Sequence, residues 1–202
     1  MFAKNRKTAI GAERTAQATT ATLGKISFDY LPHESPLSHG WTFADEGTHQ
    51  TVEFSRLSTD APVPLGLSIT PTCRYALDYV IKEAQSTKCN RLIFAAKFGT
   101  DGVIYTQLEI LSTVVGAKPL KRWIQFGVNI GPTRFEESWT EGMVELVGNQ
   151  LRDGWMSFDV SLDDAVAKTF GKKGFFYGEH GKLLRIRLRG TVSLSEIELY
   201  RA

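Results

Sequence analysis

Apolar and polar side chains alternate with a period of two near the end of the chain. In residues 183–189, one face of an extended chain would carry leucine and isoleucine and the other face three arginines. In residues 192–200 the alternation slips at Ser195. Such alternation predicts strands with one buried and one solvated face. The apolar residues of the first run are Leu184, Ile186 and Leu188.

Strand-like runs follow one another at short spacing from Gly24 onward. They are rich in Val, Ile, Phe, Tyr and Thr and are bounded by turn-forming residues. About eleven strands without a long helix predict an all-β fold, an antiparallel two-sheet β-sandwich of jelly-roll type. The runs are 25–30, 50–55, 64–69, 75–82, 90–97, 102–112, 121–128, 142–147, 155–160, 183–189 and 192–200.

A single short helix is predicted at residues 162–170. Ser161 can cap its first turn, and Asp163 and Asp164 suit the positive end of the helix dipole. Gly171 is placed to end it.

The first 22 residues differ from the rest in composition and charge. Residues 1–22 are rich in Ala and Thr and hold no period, which predicts a flexible N-terminal arm before a single domain at 23–202. The arm contributes +3 to a net charge of +2, so residues 23–202 carry −1. A near-neutral domain lacks the clustered basic surface of nucleic-acid binders, so nucleic acid is not an expected partner.

No apolar run approaches the roughly 18 residues of a membrane-spanning helix. The basic residues of the arm are not followed by the apolar segment of a secretory signal. Cys73 and Cys89 are too few for a disulfide framework and are expected either as free buried thiols or as one disulfide. The disulfide would favour an extracytoplasmic location, as part of a larger or processed protein.

Two tryptophan-containing segments carry a resemblance to a known superfamily. Gly40-Trp41 follows an early strand, and D-G-W at 153–155 precedes F-D-V-S-L, a helical link and the two closing strands. This order resembles the galactose-binding-like jelly-roll superfamily, which includes many carbohydrate-binding modules. The resemblance covers residues 24–202 in layout and implies a sandwich that binds a glycan. These modules often hold calcium, but Glu196 stands here in place of their closing aspartate.

Trp139 is the aromatic residue best placed to bind a sugar. It lies in the polar stretch T-R-F-E-E-S-W-T-E-G, with Arg134 and Glu137 beside it. A flat ring with polar groups around it suits a pyranose, although a ring packed over one end of the sandwich is the alternative. Trp123 and Trp155 lie inside alternating strands and are predicted to be core residues.

The arginines of residues 183–189 are a second candidate for ligand binding. Arg185 and Arg187 would stand about 6.6 Å apart on one strand face, with Arg189 next in line. They would grip carboxylates of an acidic polysaccharide through paired hydrogen bonds. The alternative is that they pair across strands with acidic side chains, such as Glu196, Glu198 or Glu109.

Three histidines fall close together, at positions 33, 39 and 49. Their spacing fits no compact zinc motif, so a solvated loop is the ordinary interpretation. Glu34 and Glu46 are the weak candidates for metal ligands there, and calcium is the ion that suits the superfamily better than zinc.

The sequence contains none of the common catalytic motifs for hydrolysis, phosphate binding or thiol chemistry. Its adjacent loop carboxylates do not have the opposed arrangement of a glycosidase. The leading hypothesis is therefore a non-catalytic module that binds a polysaccharide or oligosaccharide. A polysaccharide lyase or glycoside hydrolase is the alternative, with Tyr105, Tyr177 or His180 opposite the arginines. A structural module that associates with itself or with neighbouring domains through the arm is a third hypothesis.

Overall fold

Two β-sheets packed on a shared hydrophobic core form the fold. A computed structural model describes residues 21–27, 39–43, 52–56, 66–71, 76–136 and 141–202. Within these residues the strands are β1 (Ala21–Ile26), β2 (Trp41–Phe43), β3 (Val52–Arg56), β4 (Gly66–Pro71), β5 (Ala76–Val80), β6 (Arg91–Phe98), β7 (Val103–Ser112), β8 (Leu120–Gly127), β9 (Arg134–Glu136), β10 (Glu141–Glu145), β11 (Asn149–Gln150), β12 (Met156–Ser161), β13 (Phe175–Phe176), β14 (Lys182–Arg189), β15 (Val192–Ser195) and β16 (Ile197–Arg201).

The first sheet is organised around β6. One edge of β6 pairs with β12, which pairs in turn with the short β11. The other edge pairs with both β15 and β16, and these connect to β4 and β3 on one side and to β1 on the other. All of these pairings are antiparallel.

The slip predicted at Ser195 separates β15 from β16. Ser195 is buried, and its Oγ accepts a hydrogen bond from the backbone N–H of Ala95 at 2.8 Å. A side-chain oxygen thus satisfies a β6 donor where the ladder is interrupted. The interruption allows a single run of sequence to pair with β4 before it and with β1 after it.

The second sheet has the strand order β2-β5-β14-β7-β8-β10-β9, and β13 pairs with the far end of β7. Its pairings are antiparallel except that β10 lies parallel to β8. The chain returns through β9, which pairs antiparallel with β10. The predicted jelly-roll sandwich is confirmed, with this one parallel pair as a correction to a purely antiparallel arrangement.

Side chains from both sheets meet in one core. The first sheet contributes Leu92, Phe94 and Leu194, and the second contributes Ile104, Ile124 and Ile186, all at most 5% exposed. Each such apolar side chain stabilises the fold by about 1.5–3 kcal/mol relative to exposure in water. Trp155, predicted in the core, is 4% exposed.

The predicted helix is present as α2 (Leu162–Phe170), with a second, single-turn helix α1 (Glu83–Ser86) that the sequence did not indicate. The Oγ of Ser161 accepts a hydrogen bond from the backbone N–H of Asp164, as expected for an N-cap. The apolar side of α2 is buried against the sandwich. No helix among the described residues is long and apolar enough to cross a membrane.

Each of the eleven predicted runs overlaps a strand, and the differences lie in the bounds and in the short strands. β1 begins at Ala21, inside the arm predicted at 1–22, and residues 1–20 lie outside the described part of the chain. The register shifts between Leu183 and Arg185, so Leu183 rather than Leu184 takes the fully buried position. The four short strands β2, β9, β11 and β13 were not predicted.

Candidate functional site

The side of the second sheet that faces away from the core carries an ordered set of polar and aromatic side chains. Residues in register across a sheet share a face, so the strand pairing assigns its members. We call this surface the outer face. One row across it is Thr42, Asp78, Arg187, Tyr105, Gln125, Met143 and Arg134, and the next is Val80, Arg185, Gln107, Trp123 and Glu141.

Asp78 lies at the base of the outer face and binds two arginines. Its Oδ1 accepts a hydrogen bond from Arg187 Nε at 2.6 Å, and its Oδ2 accepts from Arg187 Nη2 at 3.0 Å and Arg185 Nη1 at 2.7 Å. Asp78 is only 2% exposed, so its charge needs these partners to offset the loss of water. The hydrogen bond to Asp78 raises the pKa of Arg187, which fixes its charge.

Arg187 also lies over one face of an aromatic ring. Its Cζ lies 4.4 Å from the centroid of the Trp123 indole, a cation–π distance. The Tyr105 ring meets the same indole edge-on, at 6.2 Å between centroids and 89° between planes. Trp123 remains partly exposed.

The prediction that Trp123 belongs to the core is wrong. In β8 the buried side chains are Ile124 and Phe126, so alternation turns Trp123 and Gln125 outward. The expectation rested on the high average burial of tryptophan, and the phase of this strand outweighs it.

Tyr105 adds a fixed hydrogen-bond donor beside the arginines. Its hydroxyl donates to Gln125 Oε1 at 3.0 Å. Burial raises the pKa of Tyr105, and Arg189 acts in the opposite direction. The hydroxyl therefore stays protonated at neutral pH.

The structure places the predicted binding residues in three groups. Arg185 and Arg187 lie together on the outer face, paired with Asp78. Arg134 is exposed on β9, at the edge of the same face, where it is in register with Met143. Trp139 and Glu137 lie outside the described residues, as do the candidate metal ligands Glu34 and Glu46.

The arginines do pair across strands with an acidic side chain, as the alternative expected, but Glu196, Glu198 and Glu109 are not the partners. Glu196 binds Lys25 at 2.8 Å on the first sheet, and Glu198 accepts a hydrogen bond from the Tyr200 hydroxyl. Glu109 lies 3.7 Å from Lys182. Asp78 serves instead because β5 pairs directly with β14.

The sequence reasoning missed Asp78, Gln125 and the outward position of Trp123. One signal was available, because Asp78 is a lone carboxylate in the otherwise apolar run Y-A-L-D-Y-V-I. A charge in such a run must either face solvent or find a partner.

The residues suggested for catalysis lie at different places in the structure. Tyr177 is buried, and its hydroxyl donates to the backbone oxygen of Cys89 at 2.6 Å, away from the arginines. Of the suggested residues Tyr105, Tyr177 and His180, Tyr105 is the one in register with Arg187. Across the described ranges, no group of three or more His, Cys, Asp or Glu side chains is arranged to hold a metal ion.

A cleft of about 470 Å³ lies beside α2, but its chemistry suits a sugar less well. Arg91 and Asp159 in its wall are paired with each other, and this pairing lowers the pKa of Asp159. The side chains that line the cleft include no aromatic ring. The outer face has both a ring and polar groups, so we take it as the candidate site.

Comparisons with known proteins find similar folds at low sequence identity. No family model matches the sequence, and neither does any curated protein. The solved carbohydrate-binding module TmCBM27, described as recognising mannan, is similar over 92% of this chain and 99% of its own, at 10% identity and a TM-score of 0.39.

Two further solved structures show similarity of the same degree. A family 11 carbohydrate-binding module from Clostridium thermocellum, in complex with a β-1,3-1,4-mixed-linked tetrasaccharide, is similar over 90% of this chain and 98% of its own, at 13% identity and a TM-score of 0.44. A family 12 glycoside hydrolase is similar over 92% of this chain and 100% of its own, at 11% identity and a TM-score of 0.42. Carbohydrate-binding modules are thus among the similar solved structures.

Proposed function

We propose that the protein is a non-catalytic module that binds a polysaccharide or oligosaccharide on the outer face. The observation that carries the proposal is the Arg187 guanidinium 4.4 Å from the Trp123 indole on a solvent-facing sheet surface. A sugar ring presents apolar C–H groups and a rim of hydroxyls. A surface with an aromatic ring and convergent hydrogen-bonding groups complements both.

The polar groups around Trp123 are held in place before any ligand arrives. Asp78 fixes the guanidinium groups of Arg185 and Arg187, and Gln125 fixes the Tyr105 hydroxyl. Side chains that are already ordered lose less conformational freedom on binding, which favours affinity.

The opposite surface of the sandwich supports this choice by contrast. On the first sheet, Arg91 pairs with Asp159 of the neighbouring strand β12, and Lys25 pairs with Glu196. Arg91 pairs with a carboxylate that is itself half exposed, and no indole lies among the outward residues of β6, β12 and β16. That surface has the composition of an ordinary solvated sheet face.

Trp139, Arg134 and Glu137 belong to the proposed site as an extension of the outer face. The segment 137–140 joins β9 to β10, and its flanking residues Glu136 and Glu141 are in register. Glu141 is also in register with Trp123. We propose that Trp139 provides a second ring beyond this edge.

A polysaccharide lyase is the second candidate function, because Tyr105 is in register with Arg187. A lyase of acidic glycans needs a cation for the carboxylate and groups that remove and deliver a proton. The raised pKa of Tyr105 suits a proton donor, and a base would have to be supplied by another residue. Release of unsaturated uronates, followed by ultraviolet absorbance, distinguishes a lyase from a binding module.

Assembly through the N-terminal arm is the third hypothesis. Light scattering of the full chain and of a chain without residues 1–20 tests it, because only this hypothesis expects a loss of mass on deletion.

A glycan array followed by calorimetric titration tests the leading proposal. We expect binding to at least one glycan and a loss of about 5- to 150-fold in the Trp123→Ala variant, from the ~1–3 kcal/mol of a lost aromatic contact. Tyr200→Ala is the matched control, since Tyr200 is a partly exposed aromatic residue on the first sheet and should leave affinity unchanged. Each titration is run with and without calcium.

The absence of any glycan ligand under both conditions would contradict the proposal. Equal losses in the Trp123 and Tyr200 variants would move the site away from the outer face.

A further inference from the structure

The geometry points to an acidic glycan, one that contains uronic acid residues, as the class of ligand that the outer face selects. This inference rests on the proposed function. Its basis is the imbalance between the arginines of β14 and the carboxylate that contacts them.

The direct ion pairs on the outer face leave positive charge uncompensated. Arg185 and Arg187 share the single carboxylate of Asp78. Arg189, exposed, follows on the same side of β14. Glu141 acts on Arg187 only as the weakest contribution to its raised pKa.

The two guanidinium groups retain hydrogen-bond donors toward solvent. Nε and Nη2 of Arg187 and Nη1 of Arg185 donate hydrogen bonds to Asp78. Within the described residues, the two guanidinium groups make these three hydrogen bonds. Each guanidinium has five N–H donors. The side chains are 37% and 28% exposed for Arg185 and Arg187, respectively, so donors remain that a ligand can reach.

A carboxylate fits these donors better than a hydroxyl does. Hydrogen bonds between ionised partners are about twice as strong as neutral ones, and the planar guanidinium matches a carboxylate in geometry. Asp78 already fixes the guanidinium planes, so a uronate would meet them with little further ordering.

The charge is local, which separates a uronate ligand from a general polyanion. Residues 23–202 carry a net charge of −1, so this part of the chain has no overall excess of positive charge that would attract anions. Beside the arginines lie Trp123, Gln125 and Tyr105, which suit sugar C–H groups and hydroxyls rather than phosphates alone.

The test compares polymers that differ only in charge. Polygalacturonate and alginate are titrated beside the same polymers after their carboxyl groups have been reduced to hydroxymethyl groups. We expect at least one intact polymer to bind and its reduced form to bind at least 10-fold more weakly. Polyglutamate, an anion without sugar rings, should also bind at least 10-fold more weakly than the intact polyuronate.

Substitutions then locate the contact. Arg185→Gln and Arg189→Gln should each weaken binding of the intact polyuronate by about 10-fold and binding of the reduced form by a clearly smaller factor, since hydrogen bonds between ionised partners are about twice as strong as neutral ones. Arg91→Gln, on the first sheet, is the control and should change neither.

The outcomes separate the inference from the proposed function. Three results would overturn the inference: equal affinity for the intact and reduced polymers, binding of neutral glucans alone, or equal binding of polyglutamate and the intact polyuronate. The proposed function is judged separately, by whether any glycan binds. If no glycan of either kind binds, both fail. Because the polymer comparison uses the unaltered protein, it remains decisive even where a variant does not fold.

Discussion

Asp78 and Arg187 are joined by two hydrogen bonds on a solvent-facing sheet surface, Nε to Oδ1 at 2.6 Å and Nη2 to Oδ2 at 3.0 Å. The carboxylate is almost fully buried, whereas the guanidinium reaches solvent. The Asp78 carboxylate therefore bears the free-energy cost of burial, and the Arg187 guanidinium remains accessible to a ligand. It orients Arg187 over Trp123 and so connects the stability of β5 and β14 with the shape of the candidate site.

Asp78→Asn should therefore lower stability. The substitution keeps the size of the side chain but removes the charge that Arg185 and Arg187 share. Because both guanidinium groups can be partly hydrated, we expect a loss of about 1–3 kcal/mol in the free energy of unfolding. Urea denaturation at pH 7 measures it.

Asp159→Asn is the control for that prediction. Asp159 binds Arg91 on the first sheet, but its side chain is 51% exposed, so its ion pair is screened by water. We expect a loss below about 1 kcal/mol. Equal losses in the two variants would show that Asp78 is not the buried anchor described above.

Trp139→Ala should weaken glycan binding with little effect on the melting temperature. The residue lies in a polar stretch of sequence outside the described residues, and we propose that its ring stacks on a sugar. The expected loss is about 1–3 kcal/mol of binding free energy, or about 5- to 150-fold in affinity. Calorimetric titration and a thermal melt of the same sample measure both quantities.

Trp155→Ala provides the opposite control, because Trp155 is 4% exposed. It should destabilise the fold by about 3–5 kcal/mol. If Trp139→Ala behaves like this control and leaves affinity unchanged, Trp139 is a packing residue.

Most of the fold could be predicted because alternation is a local signal. A strand with one solvated face shows a period of two in consecutive residues, as in residues 185–189, and turn residues mark its ends. The two-residue strands β11 and β13 are too short to show any period. The parallel pairing of β10 with β8 depends on the path through β9, and no local pattern encodes it.

Only about half of the candidate site could be predicted from the sequence. Alternation alone put Arg185 and Arg187 on a solvated face. Their partner Asp78 lies more than 100 residues earlier, and only the pairing of β5 with β14 brings it there. Trp123 was misassigned because a general preference of tryptophan for burial was given more weight than its place in the alternation, next to the buried Ile124.

Gly142→Ala should destabilise the contact between β10 and α2. A Cβ at this position would lie 2.7 Å from both Cβ and Cγ2 of Thr169, which is itself buried in α2. Neither backbone can withdraw without disturbing the core, so we expect a loss of about 1–3 kcal/mol. Chemical denaturation measures it.

Gly171→Ala is the matched substitution, at the end of α2. A Cβ there would meet nothing within 4 Å, and the backbone has helical φ and ψ angles of −57° and −42°. Alanine restricts the unfolded chain, so stability should be unchanged or rise by about 0.4–1 kcal/mol. A loss at Gly171 as large as that at Gly142 would indicate that helix packing, and not the Thr169 contact, sets both values.

Stability should fall as the pH rises above about 9, because Cys89 titrates abnormally. Burial raises the pKa of its thiol from 9.0 to about 11, against the lowering effect of backbone hydrogen bonds. The folded state therefore favours the protonated thiol. Its contribution is fully present below the unfolded pKa and is lost as the pH rises through the folded value.

Cys89→Ser isolates this effect, since a serine hydroxyl does not titrate in the range. Burial also raises the pKa of Tyr177, so some alkaline loss should persist in the variant. Between pH 9 and 11 we expect the wild-type free energy of unfolding to fall by up to about 2 kcal/mol more than that of the variant, at 1.36 kcal/mol per unit of pKa shift. Urea denaturation at half-unit pH steps measures both curves. Parallel curves would mean that the Cys89 thiol is not buried in the folded protein.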